Sequence, residues 1–178
     1  PLRNWKRWWY GKTLLRAAYL KLCDHISSAN QAAWTENITL SNSAWTADLM
    51  RRDYGVEADV LYPPVSGFHS DTPLTEREVG FVCIGRIIPE KRIETIVEIL
   101  ERVRERGPAV HLHVVGSLDG KNPYARRLQQ DYLERYPDWV TFEGRIDEGT
   151  KNELIGRHSF GISGRTDEPF GIAVAEMV

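Results

Sequence analysis

A chain of 178 residues holds one full domain or parts of two, and 42% hydrophobic with 27% charged residues is the mix of an ordinary soluble globular protein. A net charge of -2 gives no general attraction to nucleic acid, and no run of about 18 apolar residues offers a membrane span. The two cysteines, Cys23 and Cys83, lie in no CxxC or His/Cys cluster, which excludes a thiolate metal site and reads as two reduced, buried thiols of a cytoplasmic protein.

The first 22 residues carry Arg3, Lys6, Arg7, Lys12, Arg16 and Lys21 and no acid. Trp5, Trp8 and Trp9 share one helical face, so this stretch either lies against an anionic membrane from the cytoplasmic side or packs on another part of the protein. Helical periodicity continues from Leu14 to Leu22. Residues 37–41 alternate as a short strand, and the Asn37-Ile38-Thr39 glycosylation sequon within it reads as accidental. Asn42-Ser43 caps a helix over Ala44–Tyr54, and Gly55 stands where a C-cap belongs. Residues 58–62 form a second strand, stopped by Pro63-Pro64. Together, residues 1–65 read as an α/β tail of one domain, and 66–78 have linker composition.

From residue 79 onward strands and helices alternate. Strands are expected over 79–85, 110–116, 139–144 and 159–163, and helices over 90–106, 123–136 and 150–157. A last helix opens at Pro169 and is cut off rather than capped at Val178, so the chain reads as an excised piece. This order implies right-handed βαβ crossovers: an α/β fold with a Rossmann-like parallel sheet and helices on both faces. Ligands of such sheets bind beyond the C-terminal strand ends, here Gly85-Arg86, Gly116-Ser117, Gly144-Arg145 and Ser163-Gly164.

Two segments carry candidate chemistry. Gly85-Arg86-Ile87-Ile88-Pro89-Glu90-Lys91 leaves a strand and enters a helix, placing Arg86 and Lys91 where the helix dipole is also positive, a combination that suits a diphosphate. It is neither a Walker loop nor a GxGxxG turn. Glu168-Pro169-Phe170-Gly171-Ile172-Ala173-Val174-Ala175-Glu176 sets two carboxylates at the two ends of a helix start. On one helix they stand roughly 10–12 Å apart, too far for a glycosidase pair at about 5–9.5 Å and suited to the two ends of an extended ligand. The amides of Phe170, Gly171 and Ile172 lie between them at the helix start, where such groups can take phosphate. His111 and His113 alternate on a strand and read as structural, and with no D-x-D triplet no metal is expected at the site.

Taken in order, GR-x2-PEK and then EPFGIAVAE with its E-x7-E spacing resemble family-4 retaining glycosyltransferases of the GT-B fold. The stretch Ser41 to Ala47, Tyr54-Gly55 and Val60 to Val65 is similar to their interdomain region. The resemblance implies that residues 79–178 are a truncated nucleotide-sugar-binding domain and residues 1–65 the end of the acceptor-side domain. It implies Arg86, Lys91 and Glu168 as catalytic residues: the two cations hold the donor diphosphate and Glu168 contacts the donor sugar. Glu176 would bind ribose hydroxyls and Phe170, Gly171 and Ile172 the phosphate and sugar. Gly85, Gly116, Gly144 and Arg145 would complete the donor site. Many members have Gly where this chain has Arg92.

The function so implied is transfer of a sugar, mannose from GDP-mannose in the first instance, to a glycan or lipid-linked acceptor with retention and without a metal or other cofactor. Residues 1–178 alone are expected to be inactive. A GT-B phosphorylase or sugar synthase, or a non-catalytic module that binds nucleotide or docks a partner, are the alternatives.

Overall fold

A computed structural model describes residues 14–27, 37–65, 70–117 and 122–177. The chain forms two compact units, Pro1–Tyr62 and Pro63–Val178. The basic stretch with Trp5, Trp8 and Trp9 lies outside the described residues.

In the first unit, α1 spans Leu14–Ser27, β1 Leu40–Ser41, α2 Ala44–Tyr54 and β2 Asp59–Val60. Strands β1 and β2 pair in parallel, and both are shorter than the sequence pattern suggests. Pairing engages only from the Thr39 carbonyl onward, so the Asn37-Ile38-Thr39 sequon precedes the strand instead of lying in it. The expected caps of α2 are both present. Ser43 is extended at φ -163, and its side chain accepts from the Thr46 amide at 3.1 Å. Gly55 adopts φ 67, a left-handed conformation that lets its amide reach back to the last carbonyls of the helix. Cys23 is only half-buried, against the expectation of a buried thiol.

The second unit is a four-stranded sheet of β3 (Glu78–Ile84), β4 (His111–Val115), β5 (Val140–Gly144) and β6 (His158–Gly161). All pairs are parallel, in the order β5-β4-β3-β6. Helices α3 (Ile93–Arg104), α4 (Pro123–Arg135), α5 (Glu148–Arg157) and α6 (Ile172–Glu176) follow strands β3, β4, β5 and β6 in turn. Cross-strand register separates the two sheet faces. Phe81 and Cys83 share one face with their partners Leu112 and Val114. This face buries Ile93, Ile96, Val97 and Leu100 of α3 with Ala125 and Leu128 of α4. Each fully buried Ile, Val or Leu among them stabilises the fold by about 1.5–3 kcal/mol. Burial also pushes the Cys83 thiol up to about 11. On the other face, Val82 pairs with Gly161, and Ile155 of α5 and Met177 lie over them. Helices therefore cover both faces, as the alternation implies.

Most boundaries shift by one or two residues from the sequence expectation, and three differences have a clear local reason. The helix expected from Glu90 begins at Ile93, because Pro89–Lys91 closes as a 3-10 turn and Arg92 turns left-handed at φ 50, ψ 44. The helix expected from Pro169 begins at Ile172, because Gly171 sits at φ 80 and interrupts any continuous helix. The described part of the expected linker is not a free tether: it contains a 3-10 turn over Leu74–Glu76 and the first residue of β3, and Ser70 donates to the Gly156 carbonyl at 3.2 Å.

Candidate donor site at the sheet's switch point

The strand order dictates where a ligand fits. The chain steps outward from β3 to β4 to β5, then returns to the opposite side of β3 to lay down β6. The connection leaving β3 leads to α3 on one sheet face and the one leaving β6 leads to Met177 on the other, so a crevice opens between them at the switch point, where ligands of open α/β sheets bind. Those connections hold the two motifs singled out in the sequence. Between them lies a shallow concavity of about 360 Å³, lined by Pro89, Glu90 and Arg92 on one side and Arg165, Thr166 and Asp167 on the other.

Lys91 and Glu168 meet across this crevice, with Nζ 2.8 Å from Oε2. Their side chains are only 16% and 23% exposed, so the pair is far less screened than a surface ion pair. Arg165 approaches the other carboxylate oxygen, with Nη1 3.9 Å from Oε1. Close backbone approach makes the meeting feasible. A Cβ on Gly164 would lie 2.6 Å from the Lys91 carbonyl oxygen, so only glycine lets the β6 loop run beside the β3 loop. Gly85, at φ 148, has room only for the Lys91 stem: a Cβ there would lie 3.2 Å from Lys91 Cε. A Cβ on Gly116 would collide with the Gly85 carbonyl. Arg86 is exposed and forms no ion pair among the described residues.

Glu176 is separated from Glu168 by the turn at Gly171, so the helical-rise estimate of their spacing does not hold. Its carboxylate accepts from Lys151 Nζ of α5 at 3.0 Å. Lys151 also reaches Glu148 at 2.9 Å. Burial opposes the Lys151 charge, but the hydrogen bonds from Glu148 and Glu176 outweigh it and raise its pKa. Of the three amides expected at a helix start, only that of Ile172 belongs to α6, while Phe170 and Gly171 precede it. Gly144 ends β5 and Arg145 follows it, and β5 is separated from β6 by β4 and β3. They are not brought to the Lys91–Glu168 pair.

Two residues of the crevice region escaped the sequence reading, Lys151 and Arg165. Arg165 sits among the residues just before Glu168 and was within reach of a charge count. Lys151 had no local signal, since only the packing of α5 beside α6 gives it Glu176 as a partner.

Comparison with known proteins agrees with this geometry. Residues 68–178 match the family of glycosyl transferases group 1. The chain is similar to the GDP-Man:Man(3)GlcNAc(2)-PP-Dol alpha-1,2-mannosyltransferase of Dictyostelium discoideum, with 26% identity over 164 residues, 79% of this chain and 32% of the relative. The Candida glabrata protein of the same name is 26% identical over 154 residues, 79% of this chain and 30% of the relative. The chain thus spans about a third of the length of these curated relatives. Among solved structures, sucrose-phosphate synthase from Thermosynechococcus elongatus superposes with a TM-score of 0.65 at 22% identity, covering 83% of this chain and 40% of that one. Anabaena HepE, solved with UDP and glucose, gives 0.62 at 19% identity, covering 86% of this chain and 47% of that one. A parallel sheet with its crevice between the β3 and β6 connections, and a family match over well more than half of the residues, lead to one statement: the chain belongs to the glycosyl transferases group 1 family, with the GT-B fold.

Proposed function

We propose that this chain supplies the donor-binding part of a retaining glycosyltransferase that moves a sugar, mannose from GDP-mannose in the first instance, onto a glycan or lipid-linked acceptor. The observation that carries the reading is the Lys91–Glu168 pair at 2.8 Å, formed by the two loops that flank the switch point. A nucleoside diphosphate entering the crevice competes for Lys91 and frees Glu168 to accept hydrogen bonds from sugar hydroxyls. Arg86 adds a second cation on the same connection, directed at the phosphates.

The chemistry asked of these groups is charge stabilisation. As the bond between the anomeric carbon and the diphosphate oxygen breaks, negative charge grows on the leaving diphosphate. Fixed cations at Arg86 and Lys91, with the amides around Phe170, Gly171 and Ile172, meet that charge without reorganising. Glu176, held by Lys151, takes the ribose end. Residues 1–65 belong to the acceptor side in this reading, and mannose is favoured by the names of the two mannosyltransferase relatives. Those names also specify a PP-Dol-linked acceptor, and this agrees with membrane contact by the basic, Trp-rich start of the chain.

Calorimetric titration of the protein with GDP and UDP tests the site. GDP should bind, and Lys91→Ala should weaken it at least about tenfold. Unchanged affinity in that variant would remove the basis of the assignment. Transfer from GDP-mannose, followed by NMR of the product, reports whether the anomeric configuration is retained. Transfer to inorganic phosphate would instead favour a phosphorylase.

A further inference from the structure

At the opposite end of the same strands, three histidines come together on the sheet face away from α3 and α4. We propose that His111, His113 and His158, with Glu78 as the fourth ligand, form a site for one divalent transition-metal ion of the Zn²⁺ type. The proposal stands independently of the donor site.

The rings are mutually packed, with centroids 4.6–5.2 Å apart. One ring nitrogen from each lies within 4.8 Å of the others. Metal-binding imidazoles have their remote nitrogen held by an acceptor, which fixes the tautomer and aims the other nitrogen. Two of these three do. His158 Nδ1 is 2.6 Å from the Leu154 carbonyl. A carbonyl only accepts, so Nδ1 carries the hydrogen and Nε2 presents its lone pair. His113 Nδ1 is 2.5 Å from Glu143 Oε1, which likewise leaves Nε2 as the ligand atom.

His111 closes the set. Its Nε2 lies 2.9 Å from His158 Nε2 and 3.5 Å from Glu78 Oε2. With His158 Nε2 an acceptor, that contact is a hydrogen bond donated by His111. A metal ion takes its place when neutral His111 moves its hydrogen to Nδ1, with no net proton released. Glu78 has its other oxygen, Oε1, held by Arg157 at 2.6 Å, and its Oε2 is also 3.9 Å from His158 Nε2. The carboxylate is thus oriented for monodentate ligation. Gly80, the cross-strand partner of His111, leaves the space the ring needs, since a Cβ there would collide with Nε2.

Tetrahedral zinc with bonds near 2.0–2.1 Å sets its ligand atoms roughly 3.3 Å apart. Among the three imidazoles the spacings run from 2.9 Å to at most 4.8 Å, and Glu78 Oε2 lies 3.5 Å from His111 and 3.9 Å from His158, values that bracket it. The adjustment falls mainly on His113, whose side chain is 21% exposed and whose Nδ1 partner, Glu143, is 27% exposed and moves with it. Three imidazoles and one carboxylate suit Zn²⁺ over the hard ions Mg²⁺ and Ca²⁺, which prefer oxygen sets. Four protein ligands fill the tetrahedron, so the ion is structural. It ties the starts of β3, β4 and β6 together and stands away from the donor crevice at the strands' other ends.

The test uses the whole chain after chelator stripping and dialysis, with Zn²⁺ and Co²⁺ as probes. One equivalent of Zn²⁺ should bind at micromolar or lower Kd and raise Tm by about 5–10 °C. Co²⁺ should give the intense visible bands of a tetrahedral site without sulfur charge transfer. His113→Ala and Glu78→Gln alter partly exposed side chains, so both should fold. His113→Ala should lose at least about tenfold in affinity with the Co²⁺ bands, and His25→Ala should keep both. Zinc affinity or Co²⁺ spectra unchanged in His113→Ala, an octahedral Co²⁺ spectrum, or no binding at one equivalent would each overturn the proposal.

Discussion

The two ends of the β3–β6 strand pair make opposite use of polar side chains. At the C-terminal end, the residues are charged, come from loops, and pair across a crevice: Lys91 with Glu168, and Arg165 beside it. At the N-terminal end they are imidazoles carried on the strands themselves, and burial lowers the pKa of His111 and of His158, holding both neutral. Loops that end in ion pairs can exchange partners with an incoming anion. Strand-borne rings, two of them with tautomers fixed by their acceptors, can only accept a ligand that fits their spacing. The sheet thus keeps an adaptable end and a preset end, and the difference comes from which backbone carries the side chains.

Removing both cations is the harshest challenge to the adaptable end. Arg86→Ala with Lys91→Ala should weaken nucleoside diphosphate binding about 100-fold in calorimetry. The urea midpoint should fall modestly, because exposed Arg86 adds little to stability while the loss of Lys91 leaves the 23%-exposed Glu168 with only Arg165 nearby. A large loss of stability with intact binding would reverse the roles assigned to the pair. Gly116→Ala challenges the scaffold beneath it. Its new Cβ would meet the Gly85 carbonyl and lie 3.1 Å from Ile87 Cγ1. A loss of about 1–3 kcal/mol together with weaker nucleotide binding is expected, and wild-type values for both would show that the β3 loop is not held by this contact.

A gentler probe separates the two ends. Arg157 pairs with Glu78 on the histidine side and is 66% exposed. Arg157→Ala should cost less than about 1 kcal/mol in chemical denaturation and leave GDP affinity within about twofold. A clear drop in GDP affinity would mean that the ends are coupled. The smallest effect is expected from Arg92→Gly. Arg92 holds a left-handed conformation that side chains resist. Glycine there should raise stability by up to about 1 kcal/mol, read as a higher Tm. A lower Tm would show that the Arg92 stem contributes packing that outweighs the strain.

Arg92 also illustrates how far reading along the chain reaches. The family resemblance marked it as a position where many members have Gly, and the φ of 50 supplies the reason: the 3-10 turn over Pro89–Lys91 hands over to α3 through a left-handed residue. Helix α2 was legible to the residue, because Ser43 and Gly55 are local capping signals. The start of α6 was not. Pro169 is a helix-opening residue by preference, yet the approach of Glu168 to Lys91 turns the chain at Gly171 first.

Local order in the chain was enough for the alternation of strands and helices, the apolar stripe of α3, and the two contiguous motifs, since each depends on residues within a few positions of one another. The pairing of Lys91 with Glu168, the Lys151–Glu176 bridge, and the gathering of Glu78, His111, His113, Glu143 and His158 join residues distant in sequence. Only strand order and register could decide these contacts. A parallel sheet brings distant residues within hydrogen-bond reach through its crossovers, and no periodicity along the chain encodes which of them will meet.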